Sequence, residues 1–576
     1  MTITEELPLH RAWWKESNVY QIYPASFKDS NGDGIGDIPG IVSELDYIAG
    51  LGVDIVWLCP CYKSPQVDMG YDTSDYKDIY EKYGTLSDID DLISGLHKRG
   101  LKLVMDLVVN HTSDKHQWFQ SAISSKNSPY RDWYIWKNPK YAADGSRLPP
   151  NNWSSSFGGS AWEYDEKSDE YYLHLYAKEQ PDLNWENPKV REAVHDIVRF
   201  WLDRGVDGFR LDVINQISKD PAMPDAPITN PAAKYQPGNM FFSSGPRLHE
   251  YLQGLGKILK EYNAFSVGEM PGVYDPTEII KAAGFERNEL NMIIQFEIVN
   301  LDHGPTGRFT PRTWALTELK EIVNKWETFM QVNDGWNAIY LENHDQARSV
   351  SRFASDAPNV RRVAAQMLAT FLGFQSGTIF VYQGQELGLA NVPKTWGVDK
   401  YRDIESLNNY AENVAAGASQ EVLASILSEM QKKARDNART PMQWDETTYA
   451  GFSSVVPWMD VNEDYKEWNA KAQVNDASSV YAYWQSVFRL RKEFKDILVY
   501  GTFSLVDALN ESVFAYKRTY GSSDALIVTL FKDTETKWAV PEEYVKPGKI
   551  LLSNYDRIDI AGEIVLRPFE AFVLLL

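Results

Sequence analysis

Three carboxylate residues stand at the ends of short apolar runs in this chain. Asp212 lies in DGFRLDVIN, Glu269 in AFSVGEM and Asp345 in IYLENHDQ. If the three runs are strands of one closed barrel, their carboxyl ends meet at one face. Paired carboxylates facing each other across a small gap are what hydrolysis of a glycosidic bond requires. The sequence therefore predicts a carbohydrate-cleaving site.

Arg210 and Asp212 are two residues apart on one of these runs. Side chains alternate along a strand, so both are expected to point to the same face and into the mouth of the barrel. A neighbouring guanidinium keeps a carboxylate ionised and oriented, which a nucleophile needs at neutral pH. A purely structural buried ion pair is the alternative. We favour catalysis because active sites of barrels lie at the carboxyl ends of the strands.

Apolar, β-branched runs recur along most of the chain with helical patterns between several of them. The junctions GLGVDIVWL, KRGLKLVMDL and DRGVDGFRLDV each end a helix at glycine and begin a buried strand, which indicates parallel β-α units. Eight strands of this kind predict an α/β protein with a (β/α)8 TIM barrel. The eight runs are 18–27, 53–60, 101–110, 208–214, 265–270, 292–299, 336–343 and 377–386.

The segment NPKVREAVHDIVRFWLDRG predicts one of the intervening helices and has signals for both of its ends. Asn187 can cap it, Pro188 suits its first turn, and Gly205 ends it. Five apolar residues are spaced to form one buried stripe, namely Val190, Val194, Ile197, Val198 and Trp201.

Two intervals are far longer than an ordinary loop of a barrel. About a hundred residues separate the third and fourth runs, and a comparable stretch follows the eighth. The first is rich in Trp, Tyr, Ser, Asn and Gly, and the tail alternates short strands with turns. We therefore expect a barrel of residues 1–111 and 181–500 with an extra subdomain at about 387–470, an inserted domain at 112–180 after strand 3, and a C-terminal antiparallel β-sandwich domain at 501–576.

Composition limits the partners of the protein. A net charge of −22 argues against a nucleic-acid partner, because phosphate backbones are held by clustered Lys and Arg. The amino terminus, MTITEELPLHRAWWKE, has no apolar signal core, and no stretch reaches the roughly 20 apolar residues of a membrane span. We expect a cytoplasmic protein with a small neutral substrate and no membrane partner. Cys59 and Cys61 are expected to be buried thiols.

Five motifs resemble conserved regions of the glycoside hydrolase family 13 α-amylase superfamily. DLVVNH, GFRLDVIN, VGEM and ENHD match four regions in order, and QPDLN matches a fifth. QPDLN and GEMPG resemble the oligo-1,6-glucosidase and maltase (α-glucosidase) branch. With the insertions and the tail, the resemblance covers essentially the whole chain. It implies a retaining, exo-acting α-glucosidase that releases glucose from the non-reducing end of isomaltose- and maltose-type oligosaccharides, with some transglucosylation.

The resemblance also implies roles for the three carboxylates. Asp212 would be the nucleophile, Glu269 the acid/base and Asp345 the residue that stabilises the transition state. A retaining enzyme needs the acid to be protonated, so the pKa of Glu269 must be raised, and the charge of Asp345 would help to raise it.

Substrate-binding residues follow from the same resemblance. His111 and His344 would donate hydrogen bonds to sugar hydroxyls, although a lone histidine is more often a satisfied core residue. Asp72 with Tyr71, together with Arg439, would close the pocket around the non-reducing 4-hydroxyl, and a solvated loop charge is the alternative. Arg210 and Val213 would also line the site. Aromatic walls could come from Phe157, Tyr176 and Phe296, although in a chain with 13% aromatic residues most are core.

The loop DSNGDGIGD after the first strand reads as a calcium site. The resemblance supports a structural Ca²⁺ there, whereas a hydrogen-bonded Asx turn is the alternative. No organic cofactor is expected. The candidate ligands are Asp29, Asn31, Asp33, Ile35 and Asp37.

Linkage preference depends on Val213, which follows the nucleophile. It resembles the valine of α-1,6-acting relatives, so activity is expected to lean toward isomaltose-type bonds over maltose-type bonds. Sucrose isomerases, trehalose-forming enzymes and other transglucosylases use the same three carboxylates and stay open as alternatives. A trehalose-6-phosphate hydrolase would need a basic cluster that is not seen near the motifs. A non-catalytic relative is disfavoured because all three carboxylates are present.

Overall fold

The computed structural model describes residues 9–231, 233–558 and 560–576. The first eight residues of the amino-terminal stretch interpreted above lie outside the described residues. Over the three described ranges, none of the helices combines the length and the apolar character that crossing a membrane would demand.

Eight parallel strands close into a barrel in the order in which they follow along the chain. The last strand pairs with the first, with Ile379 opposite Asn18, and this pairing completes the ring. Every strand lies inside one of the eight predicted runs, so the TIM-barrel prediction is confirmed. The strands are β1 (Asn18–Ile22), β2 (Ile55–Leu58), β3 (Lys102–Leu107), β4 (Gly208–Leu211), β5 (Phe265–Glu269), β6 (Met292–Ile294), β7 (Asn337–Ile339) and β8 (Thr378–Tyr382).

Helices cover the outside of this barrel. The helix Pro188–Arg204 begins and ends as predicted, because the Asn187 side chain accepts the N–H of Lys189 and Gly205 adopts a φ of 106°. All five residues of its predicted stripe are buried. Other helices between or after the strands are Leu45–Leu51, Leu86–His97, Leu248–Glu261, Pro276–Ala283, Leu316–Val332, Arg361–Gly373 and Val480–Glu493.

The segment between β3 and β4 forms a small domain beside the mouth of the barrel. A helix, Gln117–Ser124, precedes a three-stranded antiparallel sheet and a two-stranded ribbon. Ala226 and Phe242, which follow β4, pack into the same apolar core as Trp153 and Trp162. The inserted domain therefore shares its core with a second excursion of the chain. Its strands are Trp136–Lys137, Lys140–Tyr141, Arg147–Leu148, Trp162–Asp165 and Glu170–Leu173.

Two helices after β8, Ile404–Ala415 and Gln420–Lys433, form a cover over another side of the mouth. The chain then ends in a five-stranded antiparallel sheet with a two-stranded ribbon packed on it. Phe514 of that sheet meets Phe371 of a barrel helix edge to face at 5.0 Å. The strands of the sheet are Thr502–Val506, Val513–Tyr520, Ser523–Leu530, Ala571–Leu575 and Lys549–Ser553, and those of the ribbon are Thr536–Ala539 and Glu563–Leu566.

Candidate active site

The three motif carboxylates converge on one cavity at the carboxyl ends of the strands. Asp212 directly follows β4, Glu269 is the last residue of β5, and Asp345 lies in the loop after β7. β4 and β5 are neighbours, with Leu211 opposite Gly268, so their ends are side by side. The three side chains line a cavity of about 190 Å³. The predicted convergence is therefore present in the fold.

Arg210 forms ion pairs with both Asp212 and Glu269. Its Nη1 lies 2.6 Å from Asp212 Oδ1, and its Nη2 lies 2.5 Å from Glu269 Oε2. Nη1 also contacts Asp106 Oδ1 at 2.5 Å. Because both carboxyl groups contact the same guanidinium, Asp212 and Glu269 face the cavity as one pair of neighbouring acids, which is the arrangement that glycosidic bond cleavage uses.

Arg210 is one positive charge in contact with three buried carboxyl groups, so it cannot neutralise all three when they are ionised. Burial raises the pKa of Asp212 to about 7, and Arg210 does not outweigh it. Arg210 lowers the pKa of Asp212, as predicted, but the same guanidinium also serves Asp106 and Glu269, so burial has the larger effect. Burial likewise raises the pKa of Glu269 to about 7, with the charges of Asp212 and Asp345 adding to it. The direction predicted for Glu269 is found, with burial as its main cause.

Asp345 has the opposite electrostatic setting. Burial alone would raise its pKa, but His344, Arg435 and Arg439 together hold that pKa well below the usual range. Arg439 Nη2 lies 2.7 Å and Arg435 Nη1 3.2 Å from Asp345 Oδ1, while His344 Nε2 lies 3.1 Å from Oδ2. Asp345 thus presents a permanent negative charge to the cavity.

Val213, directly after Asp212, has a strained backbone. Its φ of 37° and ψ of 41° lie in the left-handed region, which a β-branched residue rarely adopts. In this conformation the backbone N–H of Val213 points at Glu269 Oε2, 3.3 Å away. The side chain of Val213 lines the cavity. The strained turn thus connects the residue after the predicted nucleophile to the predicted acid.

The predicted pairing of Asp72 with Arg439 is wrong. The Asp72 carboxylate is fully buried and accepts hydrogen bonds from Ser64 Oγ and from the backbone N–H groups of Val67 and Asp68. It organises the turn that carries Asp68. Its oxygen atoms are occupied by this turn, so Asp72 anchors the loop from behind the cavity.

Asp68 and Arg435, each four residues before the predicted partner, occupy the cavity wall instead. Arg435 Nη2 and Asp68 Oδ1 form an ion pair at 3.1 Å, and both residues line the cavity. Arg439 lies behind this pair, where its Nε donates to the carbonyl oxygen of His344 and its Nη2 binds Asp345. Asp68 and Asp72 are both acidic, and Arg435 and Arg439 are both basic, so residue type alone could not show which two form the wall of the cavity.

The two predicted histidines differ in their position. His111 lines the cavity, and its Nε2 is 3.1 Å from the carbonyl oxygen of Tyr71. His344 is fully buried behind the cavity, where its ring stacks on Tyr71 at 5.2 Å between ring centroids. Gln21 Nε2 lies 2.8 Å from His344 Nδ1. His344 therefore lies beside Asp345 with its Nε2 left without a hydrogen-bond partner among the described residues, whereas His111 and Tyr71 line the cavity.

All three predicted aromatic residues, Phe157, Tyr176 and Phe296, line the cavity. Phe157 and Tyr176 come from the inserted domain and meet edge to face at 5.6 Å. Further lining residues were not found from the sequence, because most belong to loops without strand or helix periodicity. They are Asp68, Ser156, Pro271, Arg308, Gln346, Glu405 and Arg435.

The loop predicted to bind calcium is organised by its own backbone. Asp29 accepts hydrogen bonds from the N–H groups of Asn31, Gly32 and Gly34. Asp37 accepts those of Ser30 and Gly40, and the side chains of Asn31 and Asp33 accept those of Asp33 and Ile35. Among the residues that the structure describes, no group of three or more His, Cys, Asp or Glu is arranged to hold a metal ion. Calcium binding stays a prediction.

Comparison with known proteins agrees with this geometry. The family described as "Alpha amylase, catalytic domain" matches residues 21–501. An alpha-glucosidase of Schizosaccharomyces pombe is 52% identical over 98% of both chains, and an oligo-1,6-glucosidase of Parageobacillus thermoglucosidasius is 50% identical over 98% of this chain and 99% of the relative. A crystal structure of trehalose-6-phosphate hydrolase from Bacillus licheniformis superposes with a TM-score of 0.91 at 41% identity, covering 98% of this chain and all of the other.

Proposed function

The chain belongs to the alpha-amylase family and is a glycoside hydrolase, and we propose that it is a retaining, exo-acting α-glucosidase of short α-glucosides. One arrangement carries the proposal: Asp212 and Glu269 share the Arg210 guanidinium inside a small cavity. A volume of about 190 Å³ is below the roughly 300–1,000 Å³ of pockets for larger ligands. One terminal glucose unit fits that size better than the interior of a polysaccharide.

In the first step Asp212 attacks the anomeric carbon of the bound glucose unit. Glu269 gives its proton to the glycosidic oxygen, whose bond to the anomeric carbon breaks, so the leaving sugar departs as an alcohol. The glucose is then joined to Asp212 in the β configuration. A cluster with pKa values near 7 can hold the proton that this step consumes.

In the second step the Glu269 carboxylate takes a proton from water. The resulting oxygen nucleophile attacks the anomeric carbon, and the bond to Asp212 breaks. Two inversions release glucose as the α anomer. The ionised Asp345 supports both transition states, because positive charge develops on the sugar ring beside a carboxylate that stays negative.

The Asp68–Arg435 ion pair supports the exo mode. Its charged groups offer a hydrogen-bond donor and acceptor at the wall of the cavity, where hydroxyl groups of a terminal glucose can bind. A chain that continued past that end would have to break a buried pair, which costs about 3–5 kcal/mol. Glucose is therefore removed one unit at a time.

Isomaltose-type bonds are the preferred substrates in our proposal, with maltose-type bonds second. Val213 at the cavity wall supports this preference, as does the relative named oligo-1,6-glucosidase. The intermediate can also pass its glucose to a sugar hydroxyl, which would give some transglucosylation.

Product analysis tests the proposal. The protein is incubated with isomaltose, maltose, nigerose, sucrose and soluble starch, and the released sugars are followed by chromatography and by NMR of the anomeric protons. We expect α-glucose from the disaccharides and little release from starch. Release of the β anomer, or of oligosaccharides from the interior of starch, would refute it.

Two further points belong to the proposal. The acidic pattern of the loop 29–37 supports a structural Ca²⁺ site there, in which Asp29, Asn31, Asp33, the carbonyl oxygen of Ile35, and Asp37 would be the ligands. The free, buried thiols of Cys59 and Cys61 support an intracellular location, since reducing compartments keep thiols free. Cell fractionation tests the location.

A further inference from the structure

Asp68 is held at both of its carboxylate oxygens. Its Oδ1 pairs with Arg435, and its Oδ2 lies 3.2 Å from Nε2 of Gln180. Gln180 belongs to the segment QPDLN, is fully buried, and lies outside the lining of the catalytic cavity. The two hydrolytic steps described above give Gln180 no role. Its contact with Asp68 reaches the wall that a terminal glucose would meet.

The orientation of the Gln180 amide follows from its neighbours. The backbone N–H of Ala177 donates to Oε1 of Gln180 at 3.0 Å. A backbone N–H can only donate, so the amide oxygen faces Ala177 and the NH2 group faces the other way. Three polar atoms lie within 3.3 Å of the nitrogen of that NH2 group. They are Asp68 Oδ2, the carbonyl oxygen of Tyr71 and His111 Nε2.

The hydrogen bonds of His111 decide which of these three atoms accept from Gln180. Nδ1 of His111 lies 3.3 Å from Nδ2 of Asn110, whose Oδ1 accepts from Lys219. Nδ1 therefore accepts from an NH2 group, and burial lowers the pKa of His111, so the ring is neutral with its proton on Nε2. A protonated Nε2 donates to the carbonyl oxygen of Tyr71, 3.1 Å away, and cannot accept from Gln180.

The two hydrogens of the Gln180 amide are therefore donated to Asp68 and to the carbonyl oxygen of Tyr71. Each carboxylate oxygen has two lone pairs, so Asp68 can still accept from a sugar hydroxyl at either oxygen. Burial raises the pKa of Asp68 to about 6, although Arg435 and Arg439 lower it. A donor at Oδ2 favours the ionised form, which is the stronger acceptor.

We propose that Gln180 is a positioning residue that keeps the Asp68 carboxylate turned toward the hydroxyl groups of the terminal glucose. The proposal rests on the function proposed above and adds the residue that orients the closed end of the cavity. Gln180 does not line the cavity, so it acts on the substrate only through its neighbours. Its loss should weaken substrate binding, and KM should change more than kcat.

Removal of the amide tests this role. Gln180→Met keeps the length of the side chain and removes both polar groups. We expect the KM for isomaltose to rise at least about tenfold, because a hydrogen bond to a charged group is lost, while kcat changes by less than about threefold. A wild-type KM in the folded variant would overturn the proposal.

Gln366→Met is the matched control for this variant. Gln366 is also buried, and its NH2 group donates to the carbonyl oxygens of Ser478 and Ser479. It lies on the helix Arg361–Gly373, outside the lining of the cavity. Gln366→Met should therefore lower the melting temperature and leave the KM for isomaltose unchanged.

A double-mutant cycle shows whether Gln180 acts through Asp68. In the Asp68→Ala background, Gln180→Met should raise KM by less than about twofold, because the carboxylate that Gln180 holds is already gone. A glutamine that only stabilised the fold would give the same factor in both backgrounds. Equal factors would overturn the proposal.

Gln180→Glu supplies a second variant if Gln180→Met does not fold. A protonated carboxyl group can donate to Asp68 as the amide does, whereas an ionised one places two like charges side by side. We expect kcat/KM, divided by the wild-type value at the same pH, to lie within about threefold of unity at pH 5 and to fall as the pH rises to 8. An equal loss at every pH would overturn the proposal.

Other charges also act on Asp68 and His111, and division by the wild-type value removes their titration from the comparison. They are Asp72, Asp182, Lys219, Asp345, Arg435 and Arg439. If the wild-type protein cleaved none of the α-glucosides, the proposed function itself would fall. If it cleaved isomaltose while Gln180→Met kept the wild-type KM, only the role of Gln180 would fall.

Discussion

Arg435 and Asp68 form an ion pair of 3.1 Å across the end of the catalytic cavity, although 367 residues separate them in the chain. Arg435 comes from the region after β8 and Asp68 from the loop after β2. Both side chains are at least nine-tenths buried, so the pair is shielded from water. It closes the cavity on one side and explains why a terminal glucose is the fitting ligand.

Loss of this pair should impair substrate binding more than folding. We expect Asp68→Asn to lower kcat/KM for p-nitrophenyl α-glucoside roughly 100- to 1000-fold, because the charged acceptor for a hydroxyl group of the terminal glucose is lost, while Arg435 keeps its ion pairs with Asp345 and Asp403. Asp72→Asn should mainly lower the melting temperature, since Asp72 organises the Asp68 turn. A severe loss of activity in Asp72→Asn at unchanged melting temperature would restore the pairing predicted from the sequence.

Removal of the proposed nucleophile should stop turnover and allow chemical rescue. Asp212→Ala is expected to lower kcat by about 10⁴-fold or more. Azide can then enter the space left by the carboxylate and attack the same face of the sugar, which gives β-glucosyl azide from an activated aryl α-glucoside. Detection of that product by NMR identifies Asp212 as the nucleophile. An α-glucosyl azide, or unimpaired hydrolysis, would reject the assignment.

The buried acid pair should make stability depend on pH. The folded-state pKa values of about 7 for Asp212 and Glu269 exceed their ordinary values of 3.8 and 4.5. Their contribution to stability is therefore complete below about pH 4 and is lost as the pH rises through 7. Glu269→Gln removes a buried charge, so it should raise the free energy of unfolding at pH 8 by up to about 3 kcal/mol and have little effect at pH 4.

Urea unfolding at both pH values measures this difference. Glu192→Gln on the helix Pro188–Arg204 is the exposed control and should show the same small effect at pH 4 and pH 8. If Glu269→Gln destabilised the protein equally at both pH values, the raised pKa of Glu269 would be contradicted.

The proposed calcium site predicts a thermal response to metal. Treatment with a chelator should lower the melting temperature, and Ca²⁺ should restore it while Mg²⁺ should not. Calcium at 100 times its dissociation constant would add about 2.7 kcal/mol to the free energy of unfolding. Asp33→Ala should abolish the response, as Asp33 is exposed and accepts the N–H of Ile35. Absence of bound calcium by elemental analysis would refute the site.

Linkage preference should respond to Val213. Val213→Thr keeps a β-branched residue at the strained φ of 37° and replaces one methyl group by a hydroxyl. The ratio of kcat/KM for isomaltose over maltose should fall by about tenfold, within the 1–3 kcal/mol that one side chain can contribute. An equal ratio in both proteins would mean that linkage is selected elsewhere in the cavity.

The barrel and its carboxylates could be predicted because their signals are local. The glycine-to-strand junctions and the capped helix Pro188–Arg204 depend on neighbours within a few positions. Asp212 and Glu269 were placed by the same reasoning, since each directly ends an apolar run. Phe157 and Tyr176 could be named only through a family resemblance, because their loops have no periodicity that reveals the facing side.

The amino-acid sequence alone determined the eight strands, the three carboxylates at their ends and the class of chemistry. The tertiary structure decided that Asp68 rather than Asp72 faces Arg435, because loop residues four apart are equivalent until the chain is folded. The tertiary structure also decided the pKa values of Asp212 and Glu269. A single Arg210 contacts Asp106, Asp212 and Glu269 only after β3, β4 and β5 lie side by side. Electrostatic energies depend on distances in space, and those distances exist only in the folded chain.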